Sequence, residues 1–96
     1  MLEVRRTDKF SQWVRALDAA TRARVLNRVD RLRLGNPGDV KPVGGGINEM
    51  RIKYGPGYRV YFVRRGATIV ILLCGGDKST QTKDIAQAKR LAEILE

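Results

Sequence analysis

The 96-residue sequence predicts an α+β domain in which helices pack on an antiparallel sheet. Two patterns predict this class. Apolar residues recur at helical spacing up to residue 34, whereas from Met50 to Phe62 apolar and polar residues alternate with the period of a strand. Residues 35–46, between the two patterns, hold five of the ten glycines and two of the three prolines, which is typical of a loop. We therefore expect one domain spanning residues 1–96.

The first half of the chain is predicted to contain a helical hairpin, because two apolar stripes repeat at intervals of three and four residues. Thr7 or Asp8 can cap the first helix, at about residues 8–17, and Asp18 or Thr21 can cap the second, at about 20–34. The stripes consist of Phe10, Trp13, Val14 and Leu17 in the first helix and of Val25, Leu26, Val29 and Leu32 in the second.

Strands and one more helix account for the rest of the chain. Gly55-Pro56-Gly57 separates two alternating segments as a turn, and Ile69 to Cys74 is apolar throughout, as in a strand covered on both faces. The predicted order is β-α-α-β-β-β-α. The strands are expected at about residues 2–6, 47–54, 58–65 and 68–74, and the last helix at about 80–95.

The turn at residues 55–57 also predicts a strand register. If it is a three-residue loop, the opposed pairs are Tyr54 with Tyr58, Lys53 with Arg59, Ile52 with Val60, Arg51 with Tyr61 and Met50 with Phe62. Apolar residues then share one face and basic residues the other. The residues predicted to be mostly buried are Trp13, Val14, Val29, Ile52, Val60, Phe62, Ile69 and Ile71.

The charge balance indicates an anionic partner. Nineteen Lys and Arg against ten Asp and Glu leave a net charge of +9, which favours nucleic acid, acidic proteins or anionic lipid surfaces. The chain has no histidine, so Ser-His-Asp triads and histidine acid–base pairs are excluded. Cys74 is the single cysteine, and no apolar run is long enough for a membrane span. We expect a cytoplasmic protein without metal, cofactor or membrane partner.

The predicted hairpin carries a candidate phosphate site. From Arg51 to Arg65 there are five basic residues and no acidic one. Like charges that lie opposite each other destabilise a hairpin, and a bound anion would remove this repulsion. A solvated basic face is the alternative interpretation. Lys78 follows Gly75-Gly76-Asp77 at the start of the last helix, where unpaired backbone amides can also attract an anion, although by itself this is a weak motif.

A second basic cluster lies on the second predicted helix. Arg24, Arg28 and Arg31 share one side of that helix, away from the apolar stripe. They form either a solvated face or a contact to ribosomal RNA. The pattern does not favour the RNA contact over the solvated face, because no aromatic residue is interleaved with the arginines to stack on a base.

Two segments resemble a known family. Residues 50–62, Met-Arg-Ile-Lys-Tyr-Gly-Pro-Gly-Tyr-Arg-Val-Tyr-Phe, and residues 72–81, Leu-Leu-Cys-Gly-Gly-Asp-Lys-Ser-Thr-Gln, together resemble the phage-derived addiction-module killer proteins of the RelE/ParE toxins, in the HigB/RelE-like subgroup. The resemblance extends over nearly the whole chain. It implies a RelE-like, microbial-ribonuclease-type fold and a toxin that cleaves messenger RNA in the ribosomal A site. It also implies a partner antitoxin, expected to be a helix-turn-helix protein.

The resemblance also implies roles for individual residues. Arg51, Lys53 and Arg59 match basic sheet residues of RelE-type active sites, and Lys78 matches a basic residue after the last strand. On this basis the two arginines stabilise the charge of the reacting phosphate, Lys53 is the candidate general base, and Lys78 orients or protonates the leaving oxygen. Gln81 or Tyr61 is expected to position the RNA. RelE-type toxins often carry a tyrosine in the last helix, whereas this chain reads Thr82-Lys83-Asp84-Ile85 there.

Two alternatives remain open at this stage. A toxin of the ParE type would inhibit DNA gyrase on the same fold without nuclease activity, since a shared fold does not imply a shared function. A basic nucleic-acid-binding module without toxicity would need no antitoxin. The basic residues on the sheet favour the nuclease, because cleavage of RNA requires them and binding to gyrase does not.

Overall fold

The structure is a computed structural model that describes residues 1–95. Within this range five strands and three α-helices follow one another, with a single 3-10 turn, Lys78–Thr80, before the last helix. Their bounds are β1 Glu3–Arg6, α1 Asp8–Ala16, α2 Ala19–Arg33, β2 Val40–Pro42, β3 Ile47–Ile52, β4 Tyr58–Arg65, β5 Ile69–Gly76 and α3 Gln81–Ile94. In the part of the chain described here, no helix is long and apolar enough to span a bilayer.

The α+β class is confirmed, but the sheet is mixed and not purely antiparallel. Its strand order is β1-β5-β4-β3-β2, and β1 runs parallel to β5, with Glu3 opposite Ile69. The predicted strand list also lacked β2, which pairs antiparallel with β3. Both features depend on which strand lies beside which, and periodicity within one segment carries no such information.

Local signals set the starts of the first two helices. The Thr7 hydroxyl accepts a hydrogen bond from the amide of Phe10 at 3.0 Å, and the Asp18 carboxylate accepts one from the amide of Thr21 at 3.2 Å. These side chains satisfy amide groups that have no partner inside the helix. The hydrogen bonds from Thr21 also lower the pKa of Asp18, because they favour its charged form.

The helices cover opposite faces of the sheet. The hairpin of α1 and α2 packs on one face and α3 on the other, so the interior strand β5 is buried on both sides, as predicted. The core on the hairpin side contains Phe10, Val14, Val25, Val29, Leu32, Met50, Ile52, Val60, Phe62, Val70 and Leu72. The core on the α3 side contains Ile47, Tyr61, Val63, Ile71, Leu73, Cys74, Ala88 and Ala92.

Six of the eight residues predicted to be mostly buried are buried, and Trp13 and Ile69 are only partly buried. Trp13 lies in the middle of α1, where its indole ring packs against the hairpin-side core and over the backbone of Gly75. Part of the ring remains exposed because it lines a surface concavity beside Lys9 and Gln12. Ile69 begins β5 at the edge of the core on the α3 side.

Because Trp13 packs closely on Gly75, a single methyl group added at position 75 is expected to destabilise the fold. A Cβ atom at position 75 would overlap the indole ring. Gly75→Ala is therefore expected to lower the free energy of unfolding by about 1–3 kcal/mol in urea melts, as overpacking does elsewhere. The same change in a Trp13→Ala background should cost much less. An equal cost in both backgrounds would show that the ring is not the obstacle.

The register of the β3–β4 hairpin differs from the predicted one by two residues. The structure pairs Ile52 with Tyr58 and Arg51 with Arg59, so residues 53–57 form the connection. The prediction assumed a shorter loop, and a strand pattern of period two cannot distinguish registers that differ by two. The faces are unchanged by this shift, so the basic residues still lie on the face opposite Met50 and Ile52.

Candidate functional site

A concavity of about 290 Å³ lies at the end of the β3–β4 hairpin, where the two strands are joined by residues 53–57. Three of the basic residues predicted to form the site, Arg51, Lys53 and Arg59, line it together. The remaining lining residues are Asp39, Ile52, Gly57 and Tyr58. The hairpin thus places two arginines and one lysine around a space large enough for a phosphate group and its neighbouring atoms.

Arg51 and Arg59 lie directly opposite each other, and each has a carboxylate partner. Nη2 of Arg51 donates to Oδ1 of Asp39 at 2.9 Å, and this hydrogen bond lowers the pKa of Asp39. Asp39 lies in the loop after α2, and the backbone amide of Arg51 also donates to its carbonyl oxygen at 2.9 Å. The expectation that no acidic residue neutralises this face is therefore wrong.

Glu49 is the second carboxylate and is completely buried. Its Oε2 atom accepts hydrogen bonds from the Tyr61 hydroxyl at 3.1 Å and from the Gln81 amide at 2.8 Å, and it lies 3.4 Å from Nε of Arg59. Oε1 has no hydrogen-bond partner among residues 1–95. A buried carboxylate is costly unless it is paired with a cation and hydrogen-bonded, so Glu49 and Arg59 depend on each other.

Arg59 is held firmly and is not open to solvent. Its residue surface is only 9% exposed, and Nη1 donates to the carbonyl oxygen of Gly57 at 2.7 Å. Gly57 has a φ of +81°, and a Cβ atom at this position would lie 3.2 Å from Nη1. Arg59 is therefore largely buried, and its guanidinium forms the floor of the concavity. Its orientation is fixed before any ligand binds.

Lys78 lies beside the connection between β3 and β4. Its backbone amide donates to the carbonyl oxygen of Pro56 at 3.4 Å, and its Cβ lies 3.6 Å from the position that a Cβ on Gly57 would take. Asp77 caps the turn that follows, because its carboxylate accepts hydrogen bonds from the hydroxyl and from the amide of Ser79. These bonds lower the pKa of Asp77. Lys78 is therefore an exposed cation next to the site, although it does not line the concavity.

Tyr61 and Gln81, the residues expected to position RNA, belong to the interior network around Glu49. Tyr61 is fully buried, so its predicted contact with RNA is wrong for this structure. Burial and the nearby Glu49 carboxylate raise the pKa of its phenol above the ordinary value, so the hydroxyl remains a donor. The amide nitrogen of Gln81 is engaged by Glu49, and Gln81 is partly buried.

The basic cluster on α2 borders a second concavity, of about 280 Å³. Arg28 is tied to the backbone, since Nη1 donates to the carbonyl of Arg51 at 2.7 Å and Nη2 to that of Pro37 at 2.9 Å. Burial lowers the pKa of Arg28. It thus fixes the loop that carries Asp39 and is less available to RNA than predicted. Arg24 and Arg31 are exposed.

Glu49 and Asp39 also belong to the site, and neither was predicted from the sequence. A signal for Glu49 was present, because it lies two residues before Arg51 and therefore on the same strand face. No comparable signal exists for Asp39, which reaches Arg51 from the loop after α2.

Residues 12–95 match the family of phage-derived Gp49-like proteins. The chain belongs to this family. The Gp49-like family belongs to the RelE/HigB-like toxin superfamily, in agreement with the resemblance of residues 50–62 and 72–81 to toxins of this kind. A relative from Haemophilus influenzae, described as an uncharacterized protein, is 48% identical over 95 residues, which cover 98% of this chain and 96% of the relative.

Close packing accounts for the pair of glycines at the end of β5. In this Gp49-like protein, Gly75 accommodates Trp13, and a Cβ on Gly76 would collide with the carboxylate of Asp84. Asp84 in turn accepts a hydrogen bond from the Thr80 hydroxyl at 2.5 Å. The Gly-Gly-Asp-Lys segment therefore has a packing role, which brings the start of α3 and Lys78 close to the candidate site.

Proposed function

We propose that this protein is the toxin of a toxin–antitoxin pair and cleaves messenger RNA on the ribosome. The observation that carries the proposal is the convergence of Arg51, Lys53 and Arg59 on one concavity, with Lys78 beside it. A nuclease that uses no metal needs cations at the reacting phosphate, and preorganised donors at such a position contribute strongly to the rate. Membership of a family within the RelE/HigB-like toxins supports the same function.

The proposed reaction is attack of a ribose 2′-hydroxyl on the adjacent phosphorus. The 2′-oxygen forms a bond to phosphorus while the bond to the 5′-oxygen breaks, which leaves a 2′,3′-cyclic phosphate and a 5′-hydroxyl. Arg51 and Arg59 stabilise the additional negative charge of the pentacoordinate phosphate. Lys53 accepts the proton of the 2′-hydroxyl, and Lys78 donates a proton to the leaving 5′-oxygen.

The proposal includes a partner and a location. Translation takes place in the cytoplasm, where we propose that the protein acts, and an unopposed mRNA nuclease would harm its own cell. A cognate antitoxin, expected to be a helix-turn-helix protein, would bind the toxin and silence it. Purification of the chain with the product of the neighbouring reading frame, followed by addition of that product to a cleavage assay, tests this part.

A pair of assays tests the activity itself. The purified protein is added to a ribosome-containing translation mix, where the mRNA is mapped by primer extension, and separately to a DNA gyrase supercoiling reaction. We expect mRNA cleavage that depends on ribosomes and unaffected supercoiling. Intact mRNA together with inhibited gyrase would replace the nuclease by a ParE-type function.

The ion pair between Arg51 and Asp39 predicts that removal of the carboxylate increases the affinity for RNA. Asp39 competes with the phosphate for Arg51, so Asp39→Asn is expected to raise the affinity for single-stranded RNA by roughly two- to fivefold. Fluorescence anisotropy at low salt measures this change. Asp30→Asn on α2, which also removes one negative charge, serves as the control. Equal gains in both variants would mean that only the net charge matters.

A further inference from the structure

The second concavity adjoins the first. Ile52 and Lys53 line both of them, so together they form one continuous depression that runs from Arg59 at one end to α2 at the other. A polynucleotide that places a phosphate in the first concavity can therefore extend into the second. The second concavity is lined by Arg24, Asn27, Arg28, Arg31, Ile52, Lys53 and Tyr54.

The charge of this second concavity differs from that of the first. Four of its lining residues are cations, and among the residues that the structure describes none of the lining residues is acidic. In the first concavity, by contrast, Asp39 holds Arg51. An anionic ligand that enters the second concavity thus meets four cations and no carboxylate among the lining residues, and Asp39 acts on Arg28 and Lys53 only from the first concavity.

A flat stacking surface lies in the same concavity. The guanidinium carbon of Arg24 is 4.1 Å from the centroid of the Tyr54 ring, so the two planar groups contact each other. The Tyr54 ring also packs against the core on the hairpin side, and its backbone is fixed by a hydrogen bond from its amide to the carbonyl of Ile52 at 2.8 Å. This pair provides the aromatic component that was missing from the sequence of α2.

We propose that the second concavity binds the nucleotide next to the cleaved phosphate of a single-stranded RNA. This inference rests on the proposed function, because it places that nucleotide by continuity with the reacting phosphate. The base stacks on the pair formed by Arg24 and Tyr54, as unstacked RNA bases do on guanidinium and aromatic planes. Asn27, Arg31 and Lys53 also line the concavity. In the proposed complex the Asn27 amide contacts the edge of the base, and Arg31 and Lys53 bind the phosphates.

The test uses a fluorescein-labelled 2′-O-methyl oligoribonucleotide, which cannot be cleaved because the attacking hydroxyl is blocked. Its affinity is measured for the parent protein, Tyr54→Leu and Arg24→Gln. Each change is expected to weaken binding by about tenfold, which is within the range of stacking on one base. Tyr54→Phe keeps the ring, and Arg15→Gln removes the same charge from an exposed position of α1. Both controls should bind within about twofold of the parent.

A second arm identifies the base. Single abasic sugars are moved along the oligonucleotide, and one position should weaken binding to the parent by the same factor as Tyr54→Leu. At that position the abasic change and Tyr54→Leu together should cost no more than either one alone. Losses that simply add, or abasic oligonucleotides that bind as tightly as the intact strand at every position, would overturn the inference in favour of contacts to phosphate alone.

The outcomes separate the inference from the proposed nuclease. If the parent cleaves mRNA in the translation mix and Tyr54→Leu binds RNA like the parent, the stacking site is wrong and the nuclease stands. If the parent shows the stacking signature but cleaves nothing, the nuclease is wrong and the RNA site stands. If the parent does not bind the oligonucleotide but cleaves mRNA in the translation mix, the stacking site is wrong and the nuclease stands; if it neither binds nor cleaves, both are wrong.

Discussion

Replacing Arg59 with alanine is expected to lower the rate of mRNA cleavage by about 100- to 1000-fold and to abolish growth arrest. The reason is that Arg59 is a preorganised donor on the floor of the concavity, held by the carbonyl of Gly57 and beside Glu49. Loss of one such donor typically costs a rate factor of this size. Cleavage in a ribosome-containing translation mix and colony formation after induction measure the two effects.

The same substitution leaves Glu49 buried without its cation, so a loss of activity has to be separated from a loss of fold. The double variant Arg59→Ala, Glu49→Gln removes both charges and is the informative companion, because it is expected to fold and remain inactive. Arg64→Ala, at an exposed position of the same strand, should retain full activity. Folded Arg59 variants that are as toxic as the parent would rule out the proposed site.

Replacing Glu49 with alanine is expected to lower the free energy of unfolding by about 3–5 kcal/mol, since removal of one partner from a buried pair leaves the other charge uncompensated. The change also deprives the Tyr61 hydroxyl and the Gln81 amide of their acceptor. In a domain of this size such a loss is a large part of the total stability. Urea melts at neutral pH measure it.

Two comparisons make this second prediction specific. Glu49→Gln has nearly the same volume and keeps an acceptor for Tyr61, so it should cost less than Glu49→Ala. Glu3→Ala removes a carboxylate that is exposed on β1 and should change stability by less than about 0.5 kcal/mol. If Glu49→Ala melts like Glu3→Ala, the network around Glu49 does not stabilise the fold.

Glu49 connects these two predictions. Its carboxylate accepts a hydrogen bond from Gln81, in the first turn of α3, and pairs with Arg59 in the candidate site. Stability and the orientation of Arg59 therefore depend on the same buried carboxylate. This dependence explains why a strand that presents basic residues also carries a glutamate on the same face.

Much of the fold could be predicted because its signals are local. Thr7 and Asp18 each cap a helix through an amide three residues away, and the apolar stripes of α1 and α2 repeat within one or two turns. The alternation in β3 and β4 assigned each residue to a face. A shift of two residues preserves those faces, which is why the basic face was predicted correctly although the register was not.

The sequence alone therefore determined that Arg51, Lys53 and Arg59 share one side of a hairpin. It did not determine their neighbours. Asp39 reaches Arg51 from the loop after α2, and Arg24 of α2 reaches Tyr54. These contacts depend on how the helices pack on the sheet, and a periodic pattern within one segment reports only which face a side chain occupies. Only the tertiary structure showed that two carboxylates balance the site and that an aromatic ring lies under Arg24 of α2.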